Sequence, residues 1–224
     1  MENTHKFILK DEELILLPEK AVYIKKHKTL LAADLHLGKS SLFRKEGIPV
    51  PAELANAELE TLAGLIVRFN PDRLIIVGDL FHADADLDFI LFEKWRKRFE
   101  NLNIDLIRGN HDILHDEEYT SLNIQIHNEH LLFSKFLLTH KKETKIENKI
   151  NYDYIISAHV HPAVRLIGKG KQSVTLPCFY FGKNYGLLPA FGRFTGRALV
   201  HPGANDNVFV IIESGGSSKV IPVK

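Results

Sequence analysis

Cysteine is nearly absent from this chain. Cys178 is the only one in 224 residues, so no intrachain disulfide can form and no cluster of thiolates can hold a structural zinc ion. Charge of one sign is not in excess either. The 29 Lys and Arg against 28 Asp and Glu leave a formal net charge of +1, which argues against a strongly basic, sequence-independent DNA wrapper while allowing a local basic groove. Long apolar runs are missing as well, and none approaches the roughly 20 residues a bilayer span requires. The first residues show no positive region followed by an apolar run. Together these absences lead us to expect a cytoplasmic protein with no membrane partner. There is no internal repeat, low-complexity tract or composition shift, so residues 1–224 are read as one domain. The 45% hydrophobic and 25% charged content suits a chain of this length with a large buried core.

What the chain does have is histidine in an ordered setting. Five of its twelve histidines fall in a series that reads Asp34-Leu35-His36, Gly78-Asp79, Gly109-Asn110-His111-Asp112, His140 and His159-Val160-His161. Each fragment alone would be an ordinary set of polar residues at strand ends. The order and the apolar run before each fragment are what a metal site needs.

The flanking pattern places them. Thr29–Ala33, Leu74–Val77 and Ile104–Ile107 read as buried strands, each running into one member of the series. Pro51–Phe69 reads as a helix with Pro51 in its first turn, and a second helix runs from about Asp86 to Phe99 with Phe92, Trp95 and Phe99 at helical spacing. The second half looks strand-dominated. Leu131–Phe133 pairs with Phe136–Thr139, Tyr154–Ser157 follows, and 164–167, 174–181 and 208–212 are further strands. The stretch 141–151 reads as a polar loop and 214–218 as a turn or frayed end. Ligands at the C-terminal ends of strands are where open α/β sheets gather their sites.

The donor set defines the chemistry. Asp34 and His36 are two apart, so strand alternation would put both on one face. Asp79 can bridge two ions with its two oxygens, Asn110 offers an amide oxygen, and His140, His159 and His161 offer imidazole nitrogens. Carboxylate, amide and imidazole together suit Mn²⁺, Fe²⁺ or Zn²⁺ better than Ca²⁺, which prefers oxygen alone. Two divalent ions against two carboxylates leave a positive centre that attracts phosphate and lowers the pKa of a water between them.

The series resembles the calcineurin-like metallophosphoesterase superfamily, with its D-x-H, G-D, G-N-H-[DE], H and G-H-x-H motifs. Ala158 stands where that family often has glycine, and Lys141 follows His140 where glycine is common. The resemblance implies a four-layer α/β/β/α sandwich and two divalent ions, Mn²⁺ first among the candidates. It implies one ion on Asp34, His36, Asp79 and His161, and the other on Asp79, Asn110, His140 and His159. His111 would protonate the leaving oxygen, with Asp112 orienting it. Ala33–Lys39, Gly78–His82 and Leu188–Gly196 resemble more narrowly the PdeM-type ligase-associated DNA damage response endonucleases, and the Gly78–His82 stretch is also similar to SbcD-like repair nucleases. That implies a phosphodiester substrate, DNA, and a repair endonuclease working beside a DNA ligase or helicase. A phosphomonoesterase, a cyclic-nucleotide or dinucleotide phosphodiesterase, and a non-catalytic scaffold on the same fold are the other readings, and a homodimer stays open.

Lys39, Arg108 and Arg193 are candidate substrate contacts. Arg44 and Lys45 read more simply as a solvated helix face, and His82 as either a residue that orients a ligand or a helix-entry residue. His115, His127, His130 and His201 read as surface or capping residues, and Cys178 as a small buried hydrophobe. Lys183, Arg193 and Arg197 lie among Phe179, Tyr180, Phe181, Tyr185, Phe191 and Phe194. That mixture suits single-stranded nucleic acid, a sheet edge or a dimer interface.

Overall fold

Strands buried on both faces read as continuous apolar runs, and three such runs form the centre of the first sheet. The computed structural model describes residues 3–39, 42–43, 46–47, 56–82, 86–142, 150–168, 170, 172–193 and 195–223. Strands β1 (His5–Leu9), β2 (Glu12–Leu16), β3 (Ala21–Ile24) and β4 (Thr29–Ala33) form an antiparallel meander. From β4 onward the sheet is parallel, through β5 (Arg73–Val77), β6 (Asn103–Ile107) and β7 (Ile124–His127). The parallel connections carry α1 (Ala57–Phe69), α2 (Asp86–Lys97) and α3 (Asp116–Ser121).

Alternation sorts the side chains. Leu30, Ala32, Leu74, Ile76, Ile104 and Leu106 meet the helices, which contribute Leu62, Leu65, Phe92, Trp95 and Tyr119. The Trp95 Nε1–H donates to the Leu59 carbonyl at 2.9 Å, which fixes α2 against α1. Leu31, Ala33, Ile75, Val77 and Ile107 face the other way, into the second sheet.

That sheet runs in the order β14 (Ala198–Leu199), β11 (Pro162–Ile167), β12 (Ser173–Phe181), β13 (Tyr185–Leu187), β10 (Tyr154–Ser157), β9 (Phe136–Thr139) and β8 (His130–Phe133). β15 (Asn207–Ser214) also pairs with β12 and carries β16 (Ser217–Val223). Phe136, Leu138, Ile156, Phe179, Phe181 and Phe209 fill the space between the sheets. The expected sandwich of mixed α/β layers is therefore present. Among the described residues every α-helix packs on the first sheet, while the outer face of the second closes over its own cluster of Val164, Cys178, Tyr180, Val208 and Val210.

The expected helix over 51–69 is described from Asn56 onward. Residues 51–55, together with Arg44, Lys45, Phe194 and most of the loop after Lys142, lie outside the described residues. The stretch 214–218 is the turn of the β15–β16 hairpin, with Gly215 and Gly216 at φ +58° and +78°. Among the described residues no helix is long and apolar enough to cross a membrane. For function, the important outcome is that β4, β5, β6, β9 and β10 all end at one edge of the sandwich.

Candidate metal centre

Three of those strand ends, β4, β5 and β10, turn sharply. Asp34, His36, Asp79, His159 and His161 all have left-handed backbones, with φ of +50°, +48°, +45°, +63° and +51°. Non-glycine residues in that region are uncommon and cost about 1–3 kcal/mol each when strained. Asp34 and His36 thus converge through two left-handed turns beyond the end of β4, and not through strand alternation as their spacing predicts. Three further chain segments hold the loop. The Asp34, His36 and Leu37 nitrogens donate to the carbonyls of Gly78, Asp79 and Leu80 at 3.2, 2.9 and 2.9 Å, extending the β4–β5 ladder past the strands. The Phe191 and Gly192 nitrogens donate to Ala33 and Asp34 at 2.7 and 3.1 Å. The His159 nitrogen crosses from the second sheet to Asp34 Oδ2 at 2.9 Å.

The structure brings all seven expected ligands to one place. Ligand atoms of Asp34, His36 and His161 lie within 4.8 Å of one another, and so do those of Asp79, His140 and His159. His36 Nε2 stands 3.6 Å from Asp79 Oδ2, and His140 Nε2 stands 3.5 Å from the same oxygen, so Asp79 lies between the two groups. Asn110 Oδ1 is 3.1 Å from His140 Nε2. His161 points Nε2 at Asp34 Oδ2 (3.3 Å). Its Nδ1–H donates to the Gly196 carbonyl at 3.1 Å, which fixes the tautomer that leaves Nε2 a free lone pair.

Several of these atoms are buried and have no hydrogen-bond partner: Asp34 Oδ1, both nitrogens of His36, His140 Nδ1 and His161 Nε2. Unpaired buried polar atoms are costly, and here they point at one another across a few ångströms. A cation fits that arrangement. The protonation states fit it too. Burial first, then Lys39 and neighbouring imidazoles, pushes His36 down to about 2, and burial pushes His140 down to about 4, so both rings are neutral ligands at physiological pH. Burial, with Asp34 and Asp112 adding to it, pushes the Asp79 carboxyl up to about 7, against the opposing hydrogen bond from the His111 nitrogen.

His111 and His82 form the rim. Their rings are 4.5 Å apart, and a nitrogen of each lies within 4.8 Å of one on His36. His82 stays neutral because burial, then His111, pushes it down to about 4. Sequence reasoning left His82 undecided, since nothing in the spacing shows that the turn after β5 swings it back over His36. Asp112 does not orient the His111 ring by a direct bond. Its carboxylate accepts the Leu80, Phe81 and Gly109 nitrogens at 2.9, 3.2 and 2.8 Å, so it ties the two loops together and acts on His111 through the backbone.

The remaining candidates separate. Lys39 lies near His36 and Asp79, its ammonium pushed down by burial against the pull of Asp79. Arg108 is paired with Asp116 and packs over the Tyr119 ring, a structural placement. Arg193 is exposed beside His161. His115 caps α3 in a capping box with Glu118, and His127 bonds Asp105. Cys178 is fully buried, and burial raises its thiol to about 12. Phe179, Phe181 and Phe191 are core residues, so they offer no stacking surface.

Left-handed turns after β4, β5 and β10 and an acid–imidazole cluster between two sheets define a metallophosphoesterase, and residues 27–163 match the calcineurin-like phosphoesterase family. The chain belongs to that family, whose members are hydrolases that use divalent metals. Among solved structures it is similar to the crystal structure of Pseudomonas putida nuclease MPE, at 31% identity and a TM-score of 0.78 over 98% of this chain and 100% of that one. No curated protein gives a significant match.

Proposed function

We propose that this protein is a phosphodiesterase acting on DNA, an endonuclease of the cytoplasm that serves repair, with two divalent ions at the centre. Asp34, His36, Asp79 and His161 would hold one ion and Asp79, Asn110, His140 and His159 the other, Mn²⁺ being the first candidate and Fe²⁺ or Zn²⁺ the next. The observation that carries this is the pair of His/Asp groups meeting at Asp79, with buried donor atoms that no protein group satisfies. When bound, the ions supply a Lewis acid for the phosphate and lower the pKa of a water. The protein's own part is positional. His111 is fixed through its nitrogen to Asp79 Oδ1 at 2.9 Å, which sets its ring at the open side where a leaving oxygen would lie. In that position it donates the proton that lets the oxygen depart. His82 faces the same space and is suited to contact the phosphate. The similarity to a nuclease over nearly the whole chain supports a nucleic-acid substrate.

The test is a substrate panel on Mn²⁺-loaded protein: bis-nitrophenyl phosphate, nitrophenyl phosphate, single-stranded DNA and duplex DNA. We expect the diester and single-stranded DNA to be cut in preference to the monoester. Hydrolysis of the diester with no cleavage of any DNA, across metals and salt, would remove the nuclease reading. Preference for the monoester would replace it with a phosphomonoesterase.

A further inference from the structure

Beside His161 lies a small recess of about 10 Å³, too small to enclose an anion, with three cations around its mouth. Lys20, from the turn before β3, lines it together with Arg193, Thr195 and Arg197 from the segment after β13. Among the described residues no carboxylate lines this recess. The same three cations form one wall of a larger open pocket of about 340 Å³ that includes Phe191, with Glu19, Glu58 and Glu213 in its lining.

This is an unusual place to put three positive charges. Lys20 is half-buried in a left-handed turn at φ +65°, its backbone N–H donating to the Leu17 carbonyl at 3.0 Å. Burial lowers its pKa, Glu213 opposes this, and Arg197 and Arg193 add to the lowering. Arg197 Nη1 donates only to the Thr175 carbonyl among the bonds described, at 3.2 Å. Glu58 is engaged by the Arg193 backbone nitrogen at 3.2 Å. One half-buried and two exposed cations held together are a ready site for an anion, and a phosphate offers each of them an acceptor oxygen. Glu19, Glu58 and Glu213 would repel a phosphate in the outer pocket, so the anion belongs at the mouth of the recess on the His161 side, within reach of the exposed Arg193 and Arg197.

We infer that Lys20, Arg193 and Arg197 bind the phosphate next to the scissile one in a nucleic-acid strand, so that the strand passes over His161. This rests on the nuclease reading and adds to it a path for the strand. It also gives the Leu188–Gly196 segment two tasks, holding the Asp34 loop through Phe191 and Gly192 and presenting Arg193 to substrate.

The experiment uses metal-loaded protein in a His111→Ala background, which slows cleavage during titration, and a fluorescein-labelled oligothymidylate followed by anisotropy. Adding Lys20→Ala and Arg193→Ala should weaken binding roughly ten-fold per cation. The slope of log affinity against log salt should fall by about one for each. In parallel, with His111 intact, a neutral methylphosphonate replaces the phosphate on one side of the cleavage position and then on the other. At one of the two positions wild-type cleavage should drop roughly ten-fold, and the Lys20→Ala, Arg193→Ala protein should show no further drop there. Unchanged affinity and salt slope overturn the subsite while leaving the nuclease reading intact. Failure of the parent protein to bind any oligonucleotide overturns the nuclease reading and the subsite with it. If the double variant does not fold, the methylphosphonate series on wild type decides, and no penalty at either position overturns the subsite.

Discussion

A β-carbon on Gly109 would lie 2.1 Å from Asp79 Oδ1 and 2.4 Å from the Asp79 nitrogen. Neither neighbour can give way, since the carboxylate accepts the His111 nitrogen and the backbone is held in the loop. Gly78 is equally confined, with φ of +80° and the His140 ring 1.8 Å from where its β-carbon would sit. Gly109 is thus there because its loop touches the Asp79 loop, and Gly78 because the His140 ring packs against its backbone. Gly109→Ala should displace Asp79 and cost about 10–100-fold in metal affinity, read as metal content after dialysis against a graded chelator series. His111→Ala should do the opposite. It should retain the bound metal and lose about 10²–10⁴-fold in turnover of the diester, and unchanged turnover would remove the acid assignment. Both residue types were legible from motif spacing. The role of Asp112 was not, because a carboxylate beside a histidine in sequence looks like its partner until the backbone donors around it are known.

At the scale of elements, β5, β6 and β7 are joined by a polar clasp on the face toward the second sheet. Arg73 bonds Asp105 with two nitrogens, Nε at 2.6 Å and Nη2 at 2.8 Å, and His127 Nε2 reaches the same carboxylate at 2.7 Å. Burial raises the Asp105 pKa, but the Arg73 and His127 hydrogen bonds outweigh it and hold the carboxyl below its ordinary value. A depressed carboxyl contributes stability that is fully present above its unfolded pKa of about 3.9 and is lost as pH falls through the folded value. Asp105→Asn should therefore destabilise the protein by about 2–3 kcal/mol at neutral pH, somewhat under the usual cost of breaking a buried pair because Arg73 is partly exposed. The difference from wild type should shrink in acid, as seen in urea melts across pH. The central strands themselves were legible: Thr29–Ala33 and Phe136–Thr139 coincide with β4 and β9. Strands β1 to β3, β7, β13, β14 and β16 were not: β1, β14 and β16 are largely exposed and lack a continuous apolar run, and the buried β2 and β3 lead into none of the metal-site motifs that mark the other strands. Leu188–Gly196 was visible as a motif, yet its docking on Asp34 depends on a contact between residues more than a hundred positions apart.

For the whole molecule, the centre is a seam between two sheets. Asp34 and Asp79 come from the first and His140, His159 and His161 from the second, so ions bound there would join the halves as well as serve catalysis. Chelated protein must bury this cluster without compensation. With its folded pKa pushed up to about 7, Asp79 favours the native state below its unfolded value, and that contribution is lost as pH rises through about 7. The gap in Tm between metal-loaded and chelated protein should widen from about pH 4 to about pH 7 and level off above it, because chelation leaves Asp79 to ionise uncompensated while neutral His36 and His140 are common to both forms. A gap that stays constant or narrows would mean that the ions do not neutralise this buried charge.

The sequence by itself determined the donor chemistry, the strands that carry it and the family, because ligand type and apolar periodicity are local properties that survive without a partner. Only the tertiary structure decided how the side chains converge. Left-handed turns stabilised by contacts across two sheets replace the strand alternation that spacing suggests, and they bring His82 and the Lys20–Arg193–Arg197 cluster to the centre from positions that no local pattern connects.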